Sequence, residues 1–203
     1  PASQYLALGS GFVVKYSVGV GTAGGGTVDG YSDLKARVIV KRGSTVISEF
    51  QDAEFVGVTA GQSYTFDASP YLKDATAYTV QVEAQATYQG GMLMKTATAK
   101  VTMVAMTLET TYSVGNGLAD GGYRNDVNIP FTAKGTSGEK NIYYRVNGGQ
   151  AFTLGLSAGS GVQQKNVTIP LTQMQEGTNV VEAYAQHENS GVVSRVHYIT
   201  LLK

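Results

Sequence analysis

Three groups of residues in this chain have types and spacings that chemistry could use. The first is Gly19-Val20-Gly21-Thr22-Ala23-Gly24, a G-x-G-x-x-G run following a stretch that reads as a strand. In a dinucleotide-binding fold such glycines open a helix whose N-terminus holds pyrophosphate. Here Gly25-Gly26-Thr27-Val28-Asp29-Gly30 follows, and so glycine-rich a run cannot start a stable helix. The sequence predicts a loop between strands. The second group is His187 and His197, the only two histidines. With Asn189-Ser190 as a hairpin tip, His197 falls opposite Glu182, which predicts a cross-strand pair at the surface. A zinc site needs three or four ligands, and the sequence brings no third one near. The third group is the fifteen carboxylates, scattered along the chain. Glycosidase chemistry needs two of them facing across a cleft. Asp29 with Asp33, and Asp120 with Asp126, fall in corresponding loops but lack the Asp-x-Asp-x-Asp-Gly spacing of a calcium loop. There is no Gly-x-Ser-x-Gly elbow. The absence of Cys removes thiol nucleophiles, disulfides and thiolate zinc sites together. The sequence therefore predicts no catalytic residue, no cofactor and no metal, and so a protein that is not an enzyme.

The elements that must carry these side chains are strands. Tyr78, Val80, Val82, Ala84 and Ala86 alternate with Thr79, Gln81, Glu83, Gln85 and Thr87, the pattern of a half-buried strand. Similar alternation runs through Leu34–Lys41, Ala97–Met103, Val127–Lys134 and Ile142–Val146. No comparable window keeps a 3.6-residue period. At most one helical turn is expected, near 70–73 or 171–174. Gly24-Gly25-Gly26, Gly90-Gly91, Gly121-Gly122, Asn147-Gly148-Gly149 and Asn189-Ser190-Gly191 supply turns between the strands. Tyr143 and Tyr184 are expected to face outward and Tyr78 and Tyr144 inward. The outward pair is a candidate contact surface, because aromatic rings offer area at low entropic cost.

The chain also repeats itself. Tyr16-Ser17-Val18-Gly19 recurs as Tyr112-Ser113-Val114-Gly115, and Val82-Glu83-Ala84-x-Ala86 recurs as Val181-Glu182-Ala183-x-Ala185. Two matches in the same order at nearly equal offsets mark a domain-sized duplication. The expected architecture is all-β: two tandem seven-stranded antiparallel immunoglobulin-like sandwiches, over 1–104 and 105–203. The first ten residues or so read as an extended arm. Expected strands lie near 12–20, 34–42, 45–50, 53–58, 63–67, 77–87 and 93–104. In the second copy they lie near 108–114, 126–134, 139–146, 150–154, 162–169, 178–187 and 192–202. Without Trp or a Cys pair, the cores must rest on Val, Ile, Leu, Phe and Tyr.

The second copy carries Val127-Asn128-Ile129-Pro130-Phe131, then Asn141-Ile142-Tyr143-Tyr144-Arg145-Val146-Asn147-Gly148-Gly149, then Glu176-Gly177-Thr178-Asn179-Val180-Val181-Glu182. This resembles the immunoglobulin-like and fibronectin type III-like modules of phage virion appendages and bacterial surface proteins. The likeness is best over 107–203. It implies a spacer, adhesin or assembly unit contacting other chains of a larger homo- or hetero-oligomer. The expected location is the virion, with an extracellular or bacterial cell-surface setting, and a cell-surface glycan as ligand, as the alternative. Fifteen basic and fifteen acidic residues give zero net charge, so no electrostatic footprint for nucleic acid is expected. No apolar run is long enough for a membrane helix. The start, Pro1-Ala2-Ser3-Gln4-Tyr5, lacks the pattern of a signal peptide, which suits an unsecreted chain, a mature form or an excised piece.

Overall fold

The computed structural model describes residues 2–22, 24–112, 122–159 and 161–203. Ser113, Val114 and Gly115 of the repeat, Asp120 of the acidic loop, Gly121 and Ala23 lie outside the described residues. The chain divides into two compact units, Pro1–Met103 and Val104–Lys203.

The first unit is built on a long hairpin, β7 (Ala77–Tyr88) and β8 (Gly91–Val104). Gln89 and Gly90 turn it at positive φ. Its register pairs Val80 with Ala99 and Ala86 with Leu93. On the other side of β7 lies β3 (Ser32–Arg42). Two short pieces, β4 (Thr45–Val46) and β5 (Val56–Gly57), pair with β3, and β1 (Gln4–Ala7) pairs with β8. The second sheet is β2 (Val13–Ser17) with β6 (Ser63–Asp67). Alternation explains the core: Val40, Val80 and Val101 are fully buried, with Met103, Leu72 and Tyr78 around them. Phe50 and Tyr71 meet edge to face at 4.7 Å.

Several expectations shift here. The arm contributes a strand, β1. The strand expected over 45–50 stops at Val46, and Ser48–Phe50 forms a 3-10 turn that buries Phe50. The strand expected over 53–58 shrinks to Val56–Gly57. Single 3-10 turns stand at both expected places, Ser69–Tyr71 and Leu171–Gln173.

In the second unit, β9 (Met106–Thr110), β10 (Val127–Gly135) and β13 (Gly161–Ile169) form one sheet in the order β13-β10-β9. The other sheet orders β12 (Phe152–Leu156), β11 (Lys140–Val146) and β14 (Thr178–His187), with β15 (Val192–Val193) and β16 (His197–Leu202) both on β14. Inward rows from both sheets meet: Ile129 and Phe131 from β10, Ile142 from β11, Val181, Ala183 and Ala185 from β14, and Leu201 from β16. Each of the larger ones, Ile129, Phe131, Ile142, Val181 and Leu201, contributes about 1.5–3 kcal/mol on full burial.

The final hairpin departs from the expected register. Near its tip His187 pairs with Val192 and Gln186 with Val193. Ser194 still follows that register, its N–H donating to the Ala185 carbonyl at 2.8 Å. Beyond it, His197 pairs with Ala183. Arg195 and Val196 thus stand together where Tyr184 stands alone, a β-bulge. One extra residue turns every later side chain to the opposite face. His197 therefore points into the core, 8% exposed, and Glu182 is paired with Tyr198 instead. The expected surface pair of His197 with Glu182 does not form. His187, also expected near the surface, is fully buried.

Candidate functional site

The groups singled out for chemistry are held in structural roles. Thr22, within the G-x-G-x-x-G run, accepts at its carbonyl from Gly25 and donates its N–H to Gly26. Gly21 and Thr27 are joined by a β-bridge, and among the described residues no helix follows. A Cβ on Gly21 would stand 2.8 Å from the Gly26 carbonyl oxygen, so this glycine permits a backbone approach within the turn itself. The His187 ring lies 2.9 Å from the Ser190 hydroxyl at Nδ1 and 2.9 Å from the Ser137 carbonyl at Nε2. His197 Nε2 bonds the Leu108 carbonyl, tying β16 to β9 across the sandwich. Asp126 accepts the Leu171 N–H at 2.8 Å and fixes the start of a 3-10 turn. Among the described residues no three His, Asp or Glu side chains converge to hold a metal.

The motifs behind the resemblance also find physical reasons. Asn147 and Asn179 lock two turns together. Fully buried Asn179 accepts at Oδ1 from Asn147 Nδ2 at 2.7 Å and from the Gln175 N–H at 2.9 Å. Its Nδ2 donates to the Gln175 and Gly177 carbonyls at 2.8 and 3.0 Å. Asn147, at φ 51, accepts the Val180 N–H at 2.8 Å. All donor and acceptor positions of Asn179 used here have partners, which is what burying an amide requires.

The duplicated Val-Glu-Ala motif carries an ion pair that the sequence reading missed. Glu83 on β7 meets Arg37 on β3 at 2.6 Å. Glu182 on β14 meets Arg145 on β11 in the same cross-strand relation. Arg37 also donates to the Ala53 carbonyl at 3.1 Å and lies 4.5 Å over the Phe55 ring. The signal available in sequence was an arginine in each partner strand, at residues 37 and 145.

The outer face of the second unit's larger sheet is the candidate site. Tyr143 and Tyr184 are directly paired across β11 and β14, with ring centroids 5.5 Å apart and planes 22° from parallel. Both sit opposite the core, since their neighbours Ile142, Ala183 and Ala185 are fully buried. Tyr144 packs against the core and Tyr78 is buried, so the four tyrosines face as alternation requires. The Tyr143 hydroxyl donates to Glu188 at 2.9 Å; that bond, with partial burial, raises its pKa above the usual phenol value. The bulge adds Val196 to this face and turns Tyr198 outward, 66% exposed. Together with Arg145 and Glu182 these side chains line a groove of about 250 Å³. Val180 and Val193 extend the apolar belt, 37% and 51% exposed. Sequence reasoning found Tyr143 and Tyr184 but missed Tyr198 and Val196, because an unforeseen bulge sets their direction.

The strand distribution defines the class. The second unit places β9, β10 and β13 in one sheet and β11, β12 and β14 in the other, together with β15 and β16, the two halves of its bulged last strand. This is an immunoglobulin-like sandwich with the fourth strand moved across, the fibronectin type III arrangement. The first unit keeps the two-sheet sandwich but carries its first strand, β1, on β8, so the chain is a tandem of immunoglobulin-like sandwiches. The sequence matches no family description and no curated protein. Among solved structures, titin domains A168 to A170 align with 98% of this chain and 61% of theirs, at 9% identity and TM-score 0.40. The FN1–FN3 domains of chicken CNTN1 align with 99% of this chain and 65% of theirs, at 12% identity and TM-score 0.31. A chimeric titin Z1Z2 tandem carrying an exogenous fibronectin peptide aligns with 98% of this chain and 94% of its own, at 18% identity and TM-score 0.28. This chain thus spans less than two thirds of the first two.

Proposed function

We propose that this chain is a non-enzymatic structural and adhesion protein whose second unit binds a partner chain through the outer face of its larger sheet. One observation carries the reading: Tyr184, Val196 and Tyr198 line one groove, and Val180 and Val193 are exposed on the same sheet face, which needs none of them for its own core. Contiguous exposed apolar surface of this kind marks interaction sites, and Tyr is enriched at their centres. The partners are other chains of a larger homo- or hetero-oligomeric assembly. Within that class we place the chain first in a phage virion, as a decoration, fibre or tail component, on the strength of the sequence resemblance alone. A bacterial surface or secreted adhesin comes second.

A second reading has its own support. The stacked Tyr143 and Tyr184 rings beside the Arg145–Glu182 pair combine an apolar wall with hydroxyl-binding groups, which suits a carbohydrate. The chain has no cysteine, so Val193→Cys creates one labelling site on the belt. An environment-sensitive dye there should respond to the purified assembly and not to a glycan array; Tyr198→Ala should abolish the response. Glycan binding lost on Tyr184→Ala would favour the carbohydrate reading. Turnover of a small molecule by the purified chain would overturn both.

A further inference from the structure

The geometry points to a second docking site, on the first unit, that takes an extended peptide strand bearing aliphatic residues and a carboxylate. β8 is fourteen residues long, yet β1, four residues long, is the only described strand on its outer side. The Ser3 and Thr102 hydroxyls, 3.1 Å apart, place β1 at the C-terminal end of β8. The edge from Gly91 to Ala97 is left without a described partner strand. Every residue from Gly91 to Thr98 is exposed, so both faces of this stretch are open. Met92, Leu93 and Met94 are 65%, 43% and 63% exposed. Natural edges are usually blunted by shortness, proline or dense charge; this stretch has no proline and one charge, Lys95.

Beside this edge lies a groove of about 440 Å³. Val18 and Val20 of the glycine-rich loop form one wall, Leu34 and Ala84 the floor, and Leu93 and Lys95 the side belonging to β8. Leu93 and Lys95 pair with Ala86 and Ala84, on the face that turns toward the groove. Lys95 is the one ionisable residue in the described lining. A strand added to the edge of β8 gains backbone hydrogen bonds from the ladder. Its alternate side chains fall toward the groove, where apolar walls accept an aliphatic group and Lys95 a carboxylate. Ladder for affinity and pocket for selectivity is the logic of strand addition. The glycine-rich loop is thereby a wall of a peptide groove rather than a phosphate cradle. This site does not depend on the tyrosine face.

The test is selection of random peptides of about a dozen residues on the full chain, followed by hydrogen exchange. Enriched peptides should alternate aliphatic residues and carry Asp or Glu. Bound peptide should slow exchange of the amides between Gly91 and Thr98 by about ten-fold or more. Lys95→Glu should reverse the preference to Lys or Arg, and N-methylating alternate peptide amides should abolish binding. Tyr198→Ala should change none of this. No enrichment, protection confined to other strands, or an acidic preference that survives Lys95→Glu overturns the proposal. So does protection of the same amides that grows with protein concentration without peptide, which would make a second copy the occupant.

Discussion

Replacing Asn179 should unfasten the second unit more than any surface change near it. The side chain is fully buried and takes part in four hydrogen bonds, to Asn147, the Gln175 N–H, the Gln175 carbonyl and the Gly177 carbonyl. A net value of about 1 kcal/mol each gives a ceiling of about 4 kcal/mol for Asn179→Ala. Asn147 and Gln175 are exposed and can turn to water, which trims the loss to about 3 kcal/mol. With a urea slope of about 1.5 kcal/mol/M, the midpoint of the second unit falls by about 2 M. Asn179→Asp is the sharper test. One carboxylate oxygen can still accept from Asn147 and Gln175, but the other meets two carbonyl oxygens where an amide had donated. The introduced acid is therefore held protonated in the folded state, with a pKa above its unfolded value. Its contribution is present in full below the unfolded pKa and is lost as pH rises through the folded pKa. Asn179→Asp should be less stable than Asn179→Ala at neutral pH and recover in acid. Urea unfolding of the full chain, read by exchange of the β14 amides, measures both. A loss under about 0.5 kcal/mol for Asn179→Ala, or an Asp variant without pH dependence, would refute the account of this lock.

Other changes test other parts. Lys140 is 1% exposed, donates to the Thr136 and Gly159 carbonyls among the described residues, and has its pKa lowered by desolvation. Its unfolded form binds the proton more tightly, so the penalty is full at neutral pH and fades as pH climbs toward 10.5. Lys140→Met should equal or exceed the wild type at pH 7, with that advantage shrinking toward pH 10 in thermal melts. Gly138 lies at φ +133 with the His187 ring 2.5 Å from where a Cβ would stand. Gly138→Ala should cost about 3 kcal/mol, against about 1 kcal/mol for Gly43→Ala, where the φ is positive but the space open. A double-mutant cycle on Arg37 and Glu83, whose side chains are 30% and 15% exposed, should give a coupling of about 1 kcal/mol. The more exposed Arg145–Glu182 pair should couple less and lose more of it in high salt.

Alternation made most of the fold legible. A period of two places Val80 and Val82 or Ile129 and Phe131 on one side whatever the rest of the chain does. The places where it failed each depend on something outside the local window. Phe50 breaks its strand because a 3-10 turn brings it onto Phe66 and Tyr71, residues outside its local window. The bulge at Arg195 and Val196 has no turn residue to announce it. Its effect is a one-residue slip that decides whether His197 is a surface base or a buried tie to Leu108. The tyrosine face was half legible for the same reason: Tyr143 and Tyr184 lie on the unbulged strands β11 and β14, Tyr198 beyond the bulge on β16. The ion pairs were hidden in plain view, since a repeated glutamate says nothing of its partner until β3 and β11 are laid beside it.

The two units separate what holds this architecture from what it offers to others. Both keep an arginine on the third strand, β3 or β11, against a glutamate on the long strand beside it, β7 or β14: Arg37 with Glu83 and Arg145 with Glu182. They differ in the first strand. In the second unit β9 pairs with β10, and Leu108 on it receives His197. In the first unit β1 pairs with β8 instead, and among the described strands β2 pairs with β6 alone. Moving one short strand between sheets leaves the clasp intact but changes which edges and faces meet solvent. The bare stretch of β8 and the tyrosine belt are thus products of different local choices, a displaced first strand and a bulged last one. A partner that reads one of them has no reason to read the other. Met94→Asp should impair only strand addition at the first unit, and Tyr198→Ala only binding at the second; a single substitution that removes both would place the two surfaces in one interface.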